Sequence, residues 1–434
     1  MKRPPFLFPI LLRCLGPLSA GLLAFAAPGV SVAQPAYQDI DGPPHFYRTR
    51  TPRDRFSLLK ESFESGRTPL ETGSEKGFLV SLLRALDVPV SSQMLVFSTT
   101  SLQLSLISPG NPRAIYFNEE LYVGYVPGGR IEIVSIDPEL GGIYYIFDIP
   151  TASKPLRVER SERCMNCHAG EETGYIPGLV IKSVMPGPGG GSLTAYRSGQ
   201  SGHGIPFADR FGGWHVTGRH ALSNHWGNLT GRLVNGELIR VPNPPGSRFN
   251  PGKYPVPTSD ILPLLLHEHQ AGFVNRVVEA GYRVRTALDS GKGTLNPEQR
   301  QELEQQAREV CRYLLFADEA TLPAGGVQGD AAFQSDFQRH RRVGPGDLSL
   351  KDLDLKTRLF RHRCSYMIYT PLFAELPPLL KTRIYDRLRR ALADGPQEDA
   401  KSADPFDGAH LAPPERRAIR SILKATLPDL PAGW

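Results

Sequence analysis

Between residues 94 and 149, the pattern of apolar positions falls into short β-like runs at 94–97, 114–117, 121–126, 130–136 and 142–147. Turn-forming residues separate the runs: Asn118-Glu119, Pro127-Gly128-Gly129 and the stretch 137–142. The pattern predicts an antiparallel β-meander. Upstream, helical stretches are predicted at 54–64 and 75–86. From about residue 259 the pattern becomes mainly helical: Leu262, Leu266, His269, Phe273 and Val277 recur at intervals of three and four, the buried stripe of a helix. Helices are predicted over 260–287, 296–317, 350–376, 379–393 and 414–424, the second capped by Asn296 with Pro297 in its first turn. Between the two regions, a Gly- and Pro-rich stretch runs to Pro206, and 211–228 is dense in His, Trp and Gly. Neither carries a helical period. The expected fold class is α+β in three parts: a mixed domain with the meander over 34–155, an irregular, loop-rich segment over 156–245, and a mainly α-helical region over 246–434.

The first 33 residues follow a different pattern. Lys2 and Arg3 open a stretch that is apolar at 6–12 and 15–27, and Ser31, Val32 and Ala33 provide a small-residue cleavage site before Gln34. This reads as a secretory signal peptide, 1–33, and therefore as export to the periplasm or beyond. Pro9, Arg13, Gly16 and Pro17 interrupt the stretch, so it lacks the run of about 20 apolar residues that a membrane anchor needs. No integral membrane span is expected after cleavage.

Composition narrows the class. An apolar fraction of 40% and a charged fraction of 22% are ordinary for a globular chain and argue against disorder or a membrane bundle. Cleavage removes Lys2, Arg3 and Arg13 and no acid, so the formal charge drops from +6 to +3. With no basic stripe interleaved with aromatics, no nucleic-acid partner is expected. Lys154, Arg157, Arg160 and Arg163 do cluster, either as a solvated loop or as a docking patch for an acidic redox partner protein.

Directly after that cluster comes Cys164-Met165-Asn166-Cys167-His168. This is the CxxCH arrangement of covalent haem c attachment, in which two thiols add to the haem vinyl groups and the adjacent imidazole takes the iron. Two intervening residues match the vinyl separation, and the immediate His places its ring beneath the porphyrin centre. With only five Cys and eleven His in 434 residues, coincidence is a poor explanation. A zinc site would need a second cysteine pair at metal spacing and a redox CxxC a surrounding βαβ pattern, and neither is present. Cys311 and Cys364 are left over; a disulfide between them and two separate buried thiols are both open. Serine-triad, phosphate-loop and EF-hand motifs are absent.

Several stretches together resemble a family of exported bacterial proteins described as cytochrome c domain-containing. They are Val96-Phe97-Ser98-Thr99-Thr100-Ser101-Leu102-Gln103, Pro112-Arg113-Ala114-Ile115-Tyr116-Phe117-Asn118, Tyr122-Val123-Gly124-Tyr125-Val126-Pro127-Gly128-Gly129, the CxxCH itself, Gly212-Gly213-Trp214-His215-Val216-Thr217-Gly218, Glu268-His269-Gln270 and Cys364-Ser365-Tyr366. The likeness spans roughly 94–376. It implies export and one covalent haem c, without naming a reaction. His220 and His225-Trp226-Gly227-Asn228 match the family pattern, whereas His215 stands where the family has Tyr and Arg219 where it has Thr.

The ligand on the other face of the iron separates electron transfer from small-molecule binding. Candidate second axial ligands are His220, His225, Met185 and His269, with His203 a weaker one in a Gly-flanked loop. His220, His225 and His269 would alternatively form a second metal site if they converged. The favoured expectation is periplasmic electron transfer through one haem. The alternatives are a haem-based sensor of small ligands, and a haem oxidoreductase or peroxidase with an open iron face, using His220 or His225 as acid or base and Arg219 to stabilise negative charge.

Overall fold

The computed structural model describes residues 39–151, 153–197, 201–394 and 407–434; the signal peptide expected at 1–33 lies outside them. Two helices lead into the sheet. Helix α1 (Arg55–Glu64) starts where the Asp54 carboxylate accepts the N–H groups of Phe56 and Ser57, and α2 (Glu75–Ala85) starts on the Ser74 hydroxyl.

The predicted meander is present. Strands β1 (Met94–Val96), β2 (Arg113–Phe117), β3 (Leu121–Tyr125), β4 (Ile131–Asp137), β5 (Gly141–Phe147) and β6 (Glu159–Arg160) lie in sequence order, every neighbouring pair antiparallel. Their register gives the sheet two chemically distinct faces. One carries Tyr125, Ile133, Tyr145 and Phe147; Phe56 of α1 packs on it, 4.8 Å from the Tyr145 ring. The opposite face carries Arg113, Phe117, Tyr122, Glu132 and Tyr144, and it holds the site described below.

Helix α3 (Met165–His168) is the CxxCH turn. After it, the segment expected to be irregular contains two hairpins, β7 (Ser183–Pro186) with β8 (Ser192–Arg197) and β9 (Leu229–Val234) with β10 (Glu237–Pro242). Asn235 and Gly236 close the second with φ of 52° and 84°, the left-handed pair a two-residue hairpin turn requires.

Helix α4 (Ile261–Ser290) is the central pillar. It is buried continuously from Ile261 to Val274, so its apolar stripe is only one side of a helix covered all round. Tyr122 donates to Gln270 Oε1 at 3.1 Å, and His267 packs 5.6 Å from Phe117, joining α4 to the second face of the sheet. Helix α5 (Pro297–Leu314), with the expected Asn296 cap, packs between α4 and α8 (Pro378–Ala391). Short α6 (Ala331–Gln338) and α7 (Pro371–Ala374) and the C-terminal α9 (Pro413–Thr426) complete the helical part. Side chains from all three expected segments enter one core. Among the described residues no helix is long and apolar enough to cross a membrane.

The helix expected at 350–376 does not form. Asp354 Oδ1 accepts the N–H groups of both Lys356 and Thr357 at 2.8 Å, Leu355 adopts φ 61°, and Leu353 bridges to Phe360, so the chain reverses where a helix would continue. Only a 3₁₀ turn, Tyr366–Tyr369, and α7 follow. Cys311 and Cys364 are both free thiols and fully buried.

Candidate functional site

A 3₁₀ turn, Glu162–Cys164, runs directly into α3, and Cys164 itself has helical dihedrals. Cys164, Cys167 and His168 thus stand at i, i+3 and i+4, neighbours on one face of one turn. Met165 points the other way and anchors the turn in the core. Both thiols are free, Cys164 partly covered and Cys167 exposed. Burial raises the Cys164 pKa, partly offset by its bond to Ser161.

His168 is held more tightly than its position in a short turn suggests. Its Nδ1 lies 2.9 Å from the Gly178 carbonyl oxygen, and Gly178 N–H returns a bond to the His168 carbonyl at 2.8 Å. A carbonyl accepts only, so Nδ1 carries the proton and the Nε2 lone pair remains for a metal. Among the described residues Nε2 takes no hydrogen bond. Burial lowers the pKa of the ring below its ordinary value, the Gly178 bond working against that shift, so the imidazole is neutral at pH 7.

The Gly178 carbonyl is fixed from two directions. Tyr144 on β5 donates to it at 2.8 Å, its ring 4.7 Å from that of His168. A Cβ on Gly142 would come within 2.6 Å of the Tyr144 hydroxyl, so glycine there makes room for it. From α4, Asn275 accepts the Leu179 N–H at 2.7 Å and donates to the Leu179 carbonyl at 2.8 Å. Gly142 N–H donates to Pro177 at 2.9 Å, closing the loop against β5. Nearby, Arg113 of β2 and Glu132 of β4 pair at 2.6 Å, and both act electrostatically on Cys164 and His168.

Free thiols at the required spacing, beside an imidazole whose second nitrogen donates to a carbonyl, form a donor set that fits haem c. Tyr144, Gly178 and Asn275 were not predicted from sequence. The acceptor is a backbone carbonyl ten residues away and its supports come from a strand and from a helix 97 residues beyond Gly178; only the Gly and Pro richness of that stretch hinted at a specially shaped loop.

The other predicted residues fall into separate groups. His220 and His225 face each other with ring centroids 5.5 Å apart. Gly227 N–H donates to His225 Nδ1 at 3.0 Å, while His220 Nδ1 is buried without a hydrogen-bond partner. Burial and then His220 push the His225 pKa down to about 4. Arg219 is exposed next to them. His269 and His203 meet Nδ1 to Nδ1 at 2.8 Å in the core, and His269 Nε2 is 2.7 Å from Ser365 Oγ, so both His269 nitrogens are engaged. His203 stacks on Tyr313 at 4.1 Å. Met185 is fully buried in β7, against Gly231 of β9. His215 lies between Phe97 and Phe249. No group of three or more His, Cys, Asp or Glu side chains converges in a metal-holding arrangement among the described residues, so His220, His225 and His269 do not form one metal site. Hydrogen bonds and ring contacts tie His168 to Gly178 and Tyr144 and to none of the candidate second ligands.

Comparison of the chain with family models, with curated proteins and with solved structures returned no match.

Proposed function

We propose that the chain is an exported electron-transfer protein carrying one covalent haem c, bound through Cys164 and Cys167 with His168 as axial ligand. The observation that carries this reading is the His168 Nδ1 bond to the Gly178 carbonyl, which selects the tautomer an iron ligand needs and sets the ring plane before any metal arrives. When bound, haem c supplies a one-electron couple whose potential the axial ligands and their hydrogen bonds tune. This chain's residues supply the rest. Gly178 and Tyr144 fix the imidazole, Met165 anchors the turn, and the Arg113–Glu132 pair places balanced charge behind it.

The exposure of Cys167 sets one attachment point at the protein surface, where a partner can approach. Of the basic residues that precede it in sequence, Arg157 and Arg163 are exposed, while Lys154 is paired with Asp148 and Arg160 donates to the Tyr47 carbonyl. The docking patch of this reading is therefore Arg157 and Arg163, suited to an acidic redox partner in the periplasm.

The test is expression of the full chain in a host competent for haem c attachment, followed by denaturing electrophoresis with haem staining and reduced and oxidised visible spectra with and without carbon monoxide. The wild type is expected to retain haem through denaturation, and Cys164→Ser with Cys167→Ser to lose it. Spectra unchanged by carbon monoxide support electron transfer; absence of covalent haem in the wild type overturns the proposal, and a carbon monoxide-sensitive spectrum replaces electron transfer with ligand binding.

A further inference from the structure

A second site lies apart from the CxxCH turn, where the β2–β3 turn, α6 and the 3₁₀ turn Tyr366–Tyr369 come together. They enclose a cavity of about 340 Å³, within the roughly 300–1,000 Å³ typical of small-molecule sites. Its deep wall is aromatic: Phe117, Phe333, Phe337 and Tyr366 are all buried. Two cations stand over this aromatic surface. Lys351 Nζ is 4.7 Å from the Phe337 ring centre and 5.4 Å from that of Tyr366, and the Arg342 guanidinium lies 4.5 Å above Tyr369.

The hydrogen-bond inventory shows which groups are spent. Asp87 pairs with Arg339 at 2.6 Å, Glu120 with Arg55 at 3.8 Å and Glu119 with Lys351 at 2.5 Å, while Asp336 accepts from Ser91 at 2.6 Å. Lys351 also donates to the Phe337 carbonyl at 3.0 Å, using two of its three protons. Tyr366 accepts from Gln270 at 2.9 Å, which leaves its own proton to donate. Arg342 donates to the Thr426 carbonyl at 3.3 Å and has no carboxylate partner among the described residues. Unspent, positively charged donor capacity therefore stands at the edge of the aromatic wall on Arg342, while on the α6 side the Asp336 carboxylate accepts, among the described residues, only from Ser91.

We propose that this cavity binds a small aryl or arylalkyl carboxylate. The ring lies against Phe117, Phe333 and Phe337, and the carboxylate takes the planar donor fork of Arg342. The inference is independent of the haem reading, because no residue it uses belongs to the CxxCH turn or its supports.

The test is calorimetric titration of the full-length mature protein with benzoate and 3-phenylpropionate against benzyl alcohol, benzylamine and acetate. At least one aryl carboxylate is expected to bind at a single site about tenfold or more tighter than benzyl alcohol, with acetate and benzylamine weaker still. Arg342→Gln, a change at an exposed position, is expected to bring that carboxylate to the level of benzyl alcohol without altering the alcohol's own affinity. The proposal is overturned if neither carboxylate binds, if neither exceeds the alcohol, or if Arg342→Gln leaves the carboxylate affinity unchanged.

Discussion

Tyr144 and His168 donate to the same oxygen. The Gly178 carbonyl accepts from the Tyr144 hydroxyl at 2.8 Å and from His168 Nδ1 at 2.9 Å. Two donors on one acceptor each draw less from it than one alone would, so the tyrosine moderates how strongly the carbonyl polarises the imidazole.

Tyr144→Phe keeps the ring and removes one donor. On the proposed haem reading, the remaining His168 bond would strengthen and Nε2 would become a better donor to iron, favouring the oxidised state. In the haem-loaded protein a lower reduction potential than wild type is expected by spectroelectrochemical titration; a raised or unchanged potential contradicts the moderating role. In denaturant the variant should lose about 1 kcal/mol, the usual net worth of one buried hydrogen bond.

Asn275→Ala removes both side-chain bonds to Leu179 at once. A stability loss of about 2 kcal/mol is expected from urea titration, with greater proteolytic nicking near 176–179. Unchanged stability would show that Gly142 and Tyr144 hold that loop unaided.

Arg197 and Glu268 form a two-point ion pair, 2.5 and 3.0 Å, with each side chain only 3% exposed. Burial pushes the Glu268 carboxyl up, yet Arg197 holds it below its ordinary value. Arg197→Met strands that charge and is expected to cost about 3–5 kcal/mol, whereas Arg197→Met with Glu268→Leu should recover most of the loss. Equal costs for the single and double variants would show that packing matters there more than charge.

His267, boxed in by Phe117, Tyr122 and Trp214, has its pKa lowered by burial to about 4. The unfolded chain then binds more protons than the folded one between the unfolded value of about 6.5 and about 4, and stability falls as pH drops through that window. The slope approaches about 1.4 kcal/mol per pH unit for this one group. Urea titrations from pH 7 to 4 should show the loss, and His267→Gln should reduce the slope by up to about 1.4 kcal/mol per pH unit, the remainder coming from other buried histidines such as His225; an unaltered slope would assign the acid sensitivity wholly to those others.

The fold was legible wherever burial imposed a period. Strands β2 to β5 read as short, largely apolar runs because the sheet is covered on both faces, and their bounds fall within one residue of the runs read from sequence. Hairpin β9–β10 escaped notice although Asn235-Gly236 spells its turn, because its strands are largely exposed and their side chains show no apolar face. The false helix at 350–376 had helical composition, but Asp354 turned the backbone first, a side-chain-to-backbone choice that periodicity does not register. At the site, the thiols and imidazole were legible because their spacing is local. Gly178, Tyr144 and Asn275 were not, because a carbonyl acceptor can be any residue.

The Asn275 contact also fixes a sequence of events. The loop that orients His168 is completed by a residue 96 positions downstream of Leu179, so a chain emerging from its amino end presents both thiols and the imidazole long before α4 can clamp them. On the proposed haem reading, the CxxCH turn would be open to a bulky planar group during that interval, and α4 would then complete the clamp on the loop that carries Gly178. A fragment ending before residue 261 would keep the CxxCH turn and its Gly178 and Tyr144 bonds while losing the Asn275 clamp on the loop.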